Sequence, residues 1–136
     1  MRILIVEDEA LIAMLLTESL ESAGHQVMGP AATATEALAL CEAARPDLAL
    51  LDINLRDGSS GLDVARALLP RWGVLAIFTS AQIMEACQAR DIALGYIRKH
   101  YQPETVLSSI EVARVVMDGG KPGNIPAGFR PFFATE

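Results

Sequence analysis

The chain has 136 residues, 51% of them hydrophobic and 21% charged, with a mean hydropathy of +0.32. That composition excludes a disordered chain, and the length suits one domain that buries roughly two-thirds of its unfolded surface without disulfide or zinc staples. Eleven Lys and Arg against 17 Asp and Glu leave a net charge of -6 and a pI near 4.9, which disfavours binding to a phosphate backbone, so no nucleic-acid partner is expected. Cys41 and Cys87 lack the spacing of a metal or disulfide framework, and no apolar run approaches the roughly 20 residues of a membrane span. The expectation is a cytoplasmic protein with no membrane segment.

Short apolar runs alternate with stretches of helical period, the pattern of parallel strands buried on both faces by crossover helices. Five such units predict an α/β doubly wound, five-stranded parallel sheet. The first strand covers residues 3–6 and is followed by a helix over about 9–23, with Ile12, Leu15, Leu16, Leu20 and Ala23 on one face and Gly24 as its stop. After a weak second strand at 26–29, Thr33 and Glu36 make a capping box for a helix whose apolar side is Ala37, Leu38, Leu40, Cys41 and Ala44, ended by Pro46. Residues 48–51 form the third strand. The next helix follows Ser60, with Val64, Ala65, Leu68 and Leu69 inward, Pro70 near its end and Trp72 anchoring that end against the sheet. A strand at 74–78 leads to a short, poorly amphipathic helix at about 82–90, then to a short strand at 96–97. Pro103 opens the fifth helix, with Val106, Leu107, Ile110, Ala113 and Met117 inward and Gly119 and Gly120 closing it.

From residue 119 onward four Gly and three Pro prevent either regular element from propagating, so residues 1–118 read as the domain and 119–136 as a tail too short for an output domain. Val112, Val115 and Val116 make the last helix apolar on more than one side. Such a surface wants a cover. Phe129, Phe132 and Phe133, three of only four phenylalanines, favour the tail folding back to provide it, with another protein as the alternative.

The chemistry lies in what ends the strands: Glu7 and Asp8 after the first, Asp52 after the third, Thr79 after the fourth, and Arg98 and Lys99 after the fifth. In an open parallel sheet these carboxyl ends share one edge, where ligands bind. A solvated turn accounts for any one of these groups but poorly for the set. Three acids against Lys99 leave a local charge of -2, which pushes carboxylate pKa values up and is offset by a divalent cation. An oxygen-only ligand set selects Mg²⁺, with Mn²⁺ as a substitute, the competing reading being surface acids with no metal. Asp52, the single acid on the most apolar strand, is the candidate nucleophile towards phosphorus, and Glu7 and Asp8 are better placed as metal ligands. Thr79 offers a hydroxyl to a phosphoryl group, and Ser80 a cap for the next helix. His25 and His100 lack metal-ligand spacing and read as solvated or packed polar groups.

These residues resemble the receiver domain of two-component response regulators over about residues 1–118: ILIVEDE with Glu7 and Asp8, LALLDINL with Asp52, IFTSA with Thr79, and YIRK with Lys99, in order. The resemblance implies a flavodoxin-like (βα)5 fold with strand order 2-1-3-4-5. It implies phosphorylation of Asp52 by a histidine kinase or histidine phosphotransfer protein, so that the chain is no enzyme beyond its own phosphorylation and dephosphorylation. It also implies that Mg²⁺ is held by Asp8, Asp52 and the backbone carbonyl of Asn54, with Glu7 acting through water, and that Thr79 and Lys99 bind the phosphoryl oxygens. Tyr96 matches the family's switch aromatic, acting with Thr79, although core packing accounts for an aromatic there equally well. The fourth helix, fifth strand and fifth helix would form the interaction face for a downstream target protein or a homodimer.

Three departures from the family pattern stand out. His100 replaces the proline that usually follows the lysine, and since a cis bond without proline costs about 3 kcal/mol, the Lys99–His100 bond is expected to be trans or strained. INLRDGSSG is one residue longer than usual, with Arg56 in place of proline; a solvent-facing arginine is the simpler reading, an approach to the acids the other. The span from Thr79 to Lys99 is compact, so the fourth helix is expected to be short, frayed or displaced. Competing with a stand-alone signalling receiver are a degenerate receiver used only for docking and a haloacid-dehalogenase-type phosphohydrolase. The latter wants a carboxylate two residues after the nucleophile, where this chain has Asn54.

Overall fold

Successive strand residues point to opposite faces, and here both faces are dry. Leu4, Val6, Ala49, Leu51, Ala76 and Phe78 belong to one core, while Ile3, Ile5, Leu48, Leu50 and Ile77 belong to the other. This is why the strands read as unbroken apolar runs rather than alternating ones. The computed structural model describes residues 1–81 and 89–133. Its elements run β1 (Arg2–Val6), α1 (Ala10–Ser22), β2 (Gln26–Ala31), α2 (Ala34–Ala43), β3 (Leu48–Asp52), α3 (Gly61–Trp72), β4 (Ala76–Ser80), β5 (Ala93–Arg98), α4 (Pro103–Met117) and β6 (Phe129–Pro131). The helix expected at about 82–90 lies outside the described residues, apart from Ala89 and Arg90, which form a turn.

Five parallel strands take the order β2-β1-β3-β4-β5, and β6 joins the far edge antiparallel to β5. Helices α2 and α3 cover one face through Ala37, Cys41, Val64 and Leu68. Helices α1 and α4 cover the other through Leu16, Leu20, Val106 and Ile110. Among the described residues no helix is long and apolar enough to cross a membrane.

The helix ends follow their local chemistry. Thr33 Oγ1 accepts the Glu36 N–H at 3.1 Å, and the Glu36 carboxylate reaches back to the N–H of Ala32, one residue outside the expected box. Ser60 Oγ accepts the N–H of Leu62 at 3.1 Å, and α3 closes on Gly73, whose φ of 69° is left-handed. Pro70 is accommodated inside the end of α3, and Trp72 packs against the core beneath it.

Some expected inward faces need correction. Leu15 is half exposed, with Leu11 and Met14 beside it, because α1 turns Ala13, Leu16 and Leu20 to the sheet instead. Ala23 and Ala44 sit at helix ends and are exposed. In α4 the buried set is Val106, Ser109, Ile110, Val112 and Ala113, with Leu107 and Met117 at its margin. Ser109 is tolerated there because its hydroxyl donates to the Thr105 carbonyl at 2.6 Å.

The tail is also more ordered than its composition suggests. Gly and Pro prevent a long element, but three residues can pair with an edge that already exists. The Phe132 N–H donates to the Leu94 carbonyl at 2.8 Å, and the Arg98 N–H to the Gly128 carbonyl at 3.0 Å. Phe129 is buried in the α1/α4 core, with Ile125, Val116 and Phe133 packed around the same cluster, so the tail covers part of the apolar surface of α4.

Candidate functional site

Parallel pairing places the strand ends side by side. Val6 aligns with Leu51, and Asp52 with Thr79, so Glu7, Asp52 and Thr79 follow one another across the sheet edge. Lys99 comes immediately after β5, its N–H donating to the Ser80 carbonyl at 3.0 Å. Ligating oxygens of Glu7, Asp8 and Asp52 lie within 4.8 Å of one another, and among the described residues this is the one such group. Lys99 Nζ lies 3.1 Å from Glu7 Oε1 and 3.1 Å from Asp52 Oδ2, donating a hydrogen bond to the latter. The expected convergence of three acids and one ammonium is therefore present in the structure.

Burial determines how the charges settle. Glu7 is only 3% exposed and Asp52 5%. Glu7 is pushed up to about 7 from an ordinary 4.5, first by loss of water and then by the neighbouring Asp52. The Glu9 N–H, which donates to Glu7 Oε2 at 3.2 Å, and the Lys99 ammonium oppose that rise without cancelling it. Burial alone would pull Lys99 down, but Asp52 and Glu7 together hold it above its ordinary value. Glu7 Oε1 is buried with no hydrogen-bond partner despite its ion pair. An all-oxygen cluster with one unsatisfied carboxylate oxygen fits a hard divalent cation.

The remaining expected residues are placed as follows. Asn54 is exposed, bridges Ser60 through the backbone, and lines the same cleft as Asp8, Asp52, Arg56 and Lys99. Arg56 Nε is 4.0 Å from Asp8 Oδ2 while its side chain is 76% exposed, so it both faces solvent and approaches the acids. Thr79 is buried opposite Asp52 in the ladder. Ser80 is buried at the end of β4, and the helix it was expected to cap lies outside the described residues. Tyr96 is buried, its ring 6.0 Å from that of Phe132 in the tail at 45°. His25 Nδ1 lies 3.2 Å from the N-terminal amine, away from the site, and His100 is exposed. Of the two alternatives expected for the Lys99–His100 bond, trans or strained, the trans one is corrected: the bond is cis.

Two contributors escaped the sequence reading. Gly61 opens α3 against the end of β3, where a Cβ would collide with the Asp52 carbonyl oxygen. Its N–H donates to the Ile53 carbonyl at 3.1 Å. A glycine directly after the helix cap was the available signal. Tyr101 has a buried, unpartnered hydroxyl that burial, then Glu7 and Asp52, keep firmly protonated. Nothing in its local pattern marks it as a neighbour of the acids.

Known proteins share this fold. The response regulator receiver domain model matches residues 3–111. The chain is 52% identical over 113 residues to the phyllosphere-induced regulator PhyR of Methylorubrum extorquens, covering 82% of this chain and 42% of that protein. It is 35% identical over 116 residues to the transcriptional regulatory protein PdtaR of Mycobacterium tuberculosis, covering 82% and 56% respectively. The solution structure of the Erythrobacter litoralis PhyR receiver domain superposes with a TM-score of 0.76 at 36% identity, covering 83% of this chain and 88% of that one. The chain belongs to the response regulator receiver family. It spans about half the length of these curated relatives.

Proposed function

We propose that this receiver domain accepts a phosphoryl group on Asp52 from the phosphohistidine of a histidine kinase or histidine phosphotransfer protein and signals by contact with a downstream target. The observation that carries this reading is the convergence of Glu7, Asp8 and Asp52 within 4.8 Å, with Lys99 held 3.1 Å from two of them. An Asp52 carboxylate oxygen attacks phosphorus, the P–N bond breaks, and the imidazole leaves with its electron pair. Lys99 then exchanges part of its pairing with the carboxylates for the phosphoryl oxygens, and Thr79 offers its hydroxyl to them. Asp8, Asp52 and the Asn54 carbonyl would hold Mg²⁺, or Mn²⁺ in its place, with Glu7 contributing through water. The cation supplies charge neutralisation at the phosphoryl oxygens. In this reading the chain catalyses only its own phosphorylation and dephosphorylation.

The exposed Leu11, Met14 and Leu15 on α1 support docking of a protein donor. They form an apolar patch on the helix that starts directly after Glu7 and Asp8, and Met14 and Ala13 share a cleft with those two acids.

Intact-mass measurement after incubation with acetyl phosphate and Mg²⁺ tests the reading. The wild-type chain should gain one phosphoryl mass, labile to hydroxylamine, and Asp52→Asn should gain none. A full label on Asp52→Asn, or none on the wild type with either acetyl phosphate or a phosphorylated donor protein, would refute it. Sustained turnover of p-nitrophenyl phosphate would point to a hydrolase instead.

A further inference from the structure

The two edges of the parallel sheet are protected differently. β2 carries Gly29 and Pro30, breaks register against β1 between Leu4 and Val6, and is largely exposed. A proline without an N–H and an irregular register discourage pairing with another strand. β5 has no proline, and its register break against β4 falls at Leu94, before the residues that β6 covers. Ala93, Leu94, Gly95, Tyr96 and Ile97 are all buried, and no charge appears before Arg98. Without a cover it would be an apolar edge offering a row of unpaired backbone groups, the template on which a like edge pairs.

The cover comes from outside the family domain, since the receiver match ends at residue 111 and β6 spans Phe129–Pro131. Its seat is built for it. A Cβ on Gly95 would collide with the Arg130 carbonyl oxygen and come within 2.8 Å of the Phe129 ring and 2.9 Å of Pro131 Cα. Phe129 enters the α1/α4 core, whereas Phe132 packs on Tyr96 at the opposite face with the Arg90 guanidinium 6.0 Å from its ring. The tail thus grips β5 from both sides of the sheet. Yet its ladder is three residues long, with one flanking hydrogen bond at each end, and it is joined to α4 through residues 118–128, which form no helix or strand. Such a segment belongs to the low-stability end of a domain and can open locally.

We propose that β6 is an intramolecular mask over a self-association edge, and that its release lets β5 pair with β5 of a second copy of this chain. Two antiparallel β5 strands about a two-fold axis satisfy the same backbone groups that β6 satisfies now, and the surface is self-complementary as such a dimer requires. A second copy is the occupant that fits, because the bare edge is apolar, uncharged over five residues and opposed by an identical edge in every other molecule.

Arg130→Pro in the full chain tests this without altering β5, since it removes an N–H from the middle of β6, opposite Tyr96, and opposes the tail whether it comes from the same molecule or a swapped one. Light scattering after size exclusion reports mass, and amide hydrogen exchange reports which strands are covered. The wild type should be monomeric with Phe129 and Phe132 protected. In Arg130→Pro those amides should exchange faster by about tenfold or more, and the mass should rise towards a dimer with concentration while residues 94–97 stay protected. Phe132→Ala removes a ring from the margin of the core and should give the same pattern at lower amplitude; it decides the matter if Arg130→Pro fails to fold. A variant with an exposed tail that stays monomeric would overturn the proposal. So would unchanged exchange in the variants, or a wild-type dimer whose tail remains docked.

Discussion

Glu7→Gln isolates the electrostatic cost of assembling the acidic site. In the folded chain Glu7 is pushed up to about 7 from 4.5 by burial and by Asp52. The folded state therefore binds the Glu7 proton more tightly than the unfolded chain does. Between these two values the folded state holds more protons, so the contribution to unfolding free energy falls as pH rises through that window. The protonated carboxyl is tolerated near pH 5, and the full cost of the buried anion is present by pH 8. At about 1.4 kcal/mol per unit the difference is ~3 kcal/mol, worth roughly 10 °C in a domain of this size. Glutamine mimics the protonated side chain and does not ionise. In urea titrations with a chelator present, Glu7→Gln should match the wild type near pH 5 and exceed it by up to ~3 kcal/mol at pH 8. Mg²⁺ at pH 8 should stabilise the wild type and narrow that gap, because a cation among the three carboxylates offsets the same repulsion. If the two stability curves run parallel from pH 5 to 8 without metal, the account of Glu7 is wrong.

Lys99→Ala removes the ammonium that lies 3.1 Å from both Glu7 and Asp52 and leaves two buried carboxylates facing each other. A loss of about 3 kcal/mol at pH 8 without metal is expected, smaller near pH 5, read by the same urea titrations. Mg²⁺ binding, measured by calorimetry, should survive, while phosphorylation-dependent partner binding should weaken; unchanged partner binding would remove Lys99 from signalling. Gly61→Ala should lower both stability and the rate of acetyl phosphate labelling, because its methyl group displaces the β3–α3 junction at the Asp52 carbonyl. A normal labelling rate in Gly61→Ala would show that the junction moves without disturbing the acceptor.

What was legible in the sequence was what burial on two faces and strand polarity dictate. Residues 3–6 and 48–51 have no alternative to a central parallel sheet, and once that sheet exists Glu7, Asp52, Thr79 and Lys99 must come to one edge. What escaped depends on distances that no one-dimensional pattern encodes. The excess negative charge was visible, but not that Glu7 would carry the proton affinity; that follows from its burial and from Asp52 beside it. The helical reading of α1 turned Leu15 towards the sheet, whereas packing beside Leu16 and Leu20 puts the smaller Ala13 there.

The tail shows the same limit most sharply. Its Gly and Pro content correctly forbids a self-propagating element, yet a strand that borrows its register from an existing edge needs only three residues and a gap to enter. Gly95 provides that gap from more than thirty residues away. Its meaning is invisible locally, since a glycine within a predicted strand reads first as a weakness. Seen together, Gly95 and Phe129–Pro131 form one device: the residue that would weaken an ordinary strand is the one that admits its cover. The same pairing reaches the acceptor site through two adjacent residues. The Arg98 N–H is held by Gly128 in the tail, and the next residue, Lys99, is held by Ser80 and by both carboxylates.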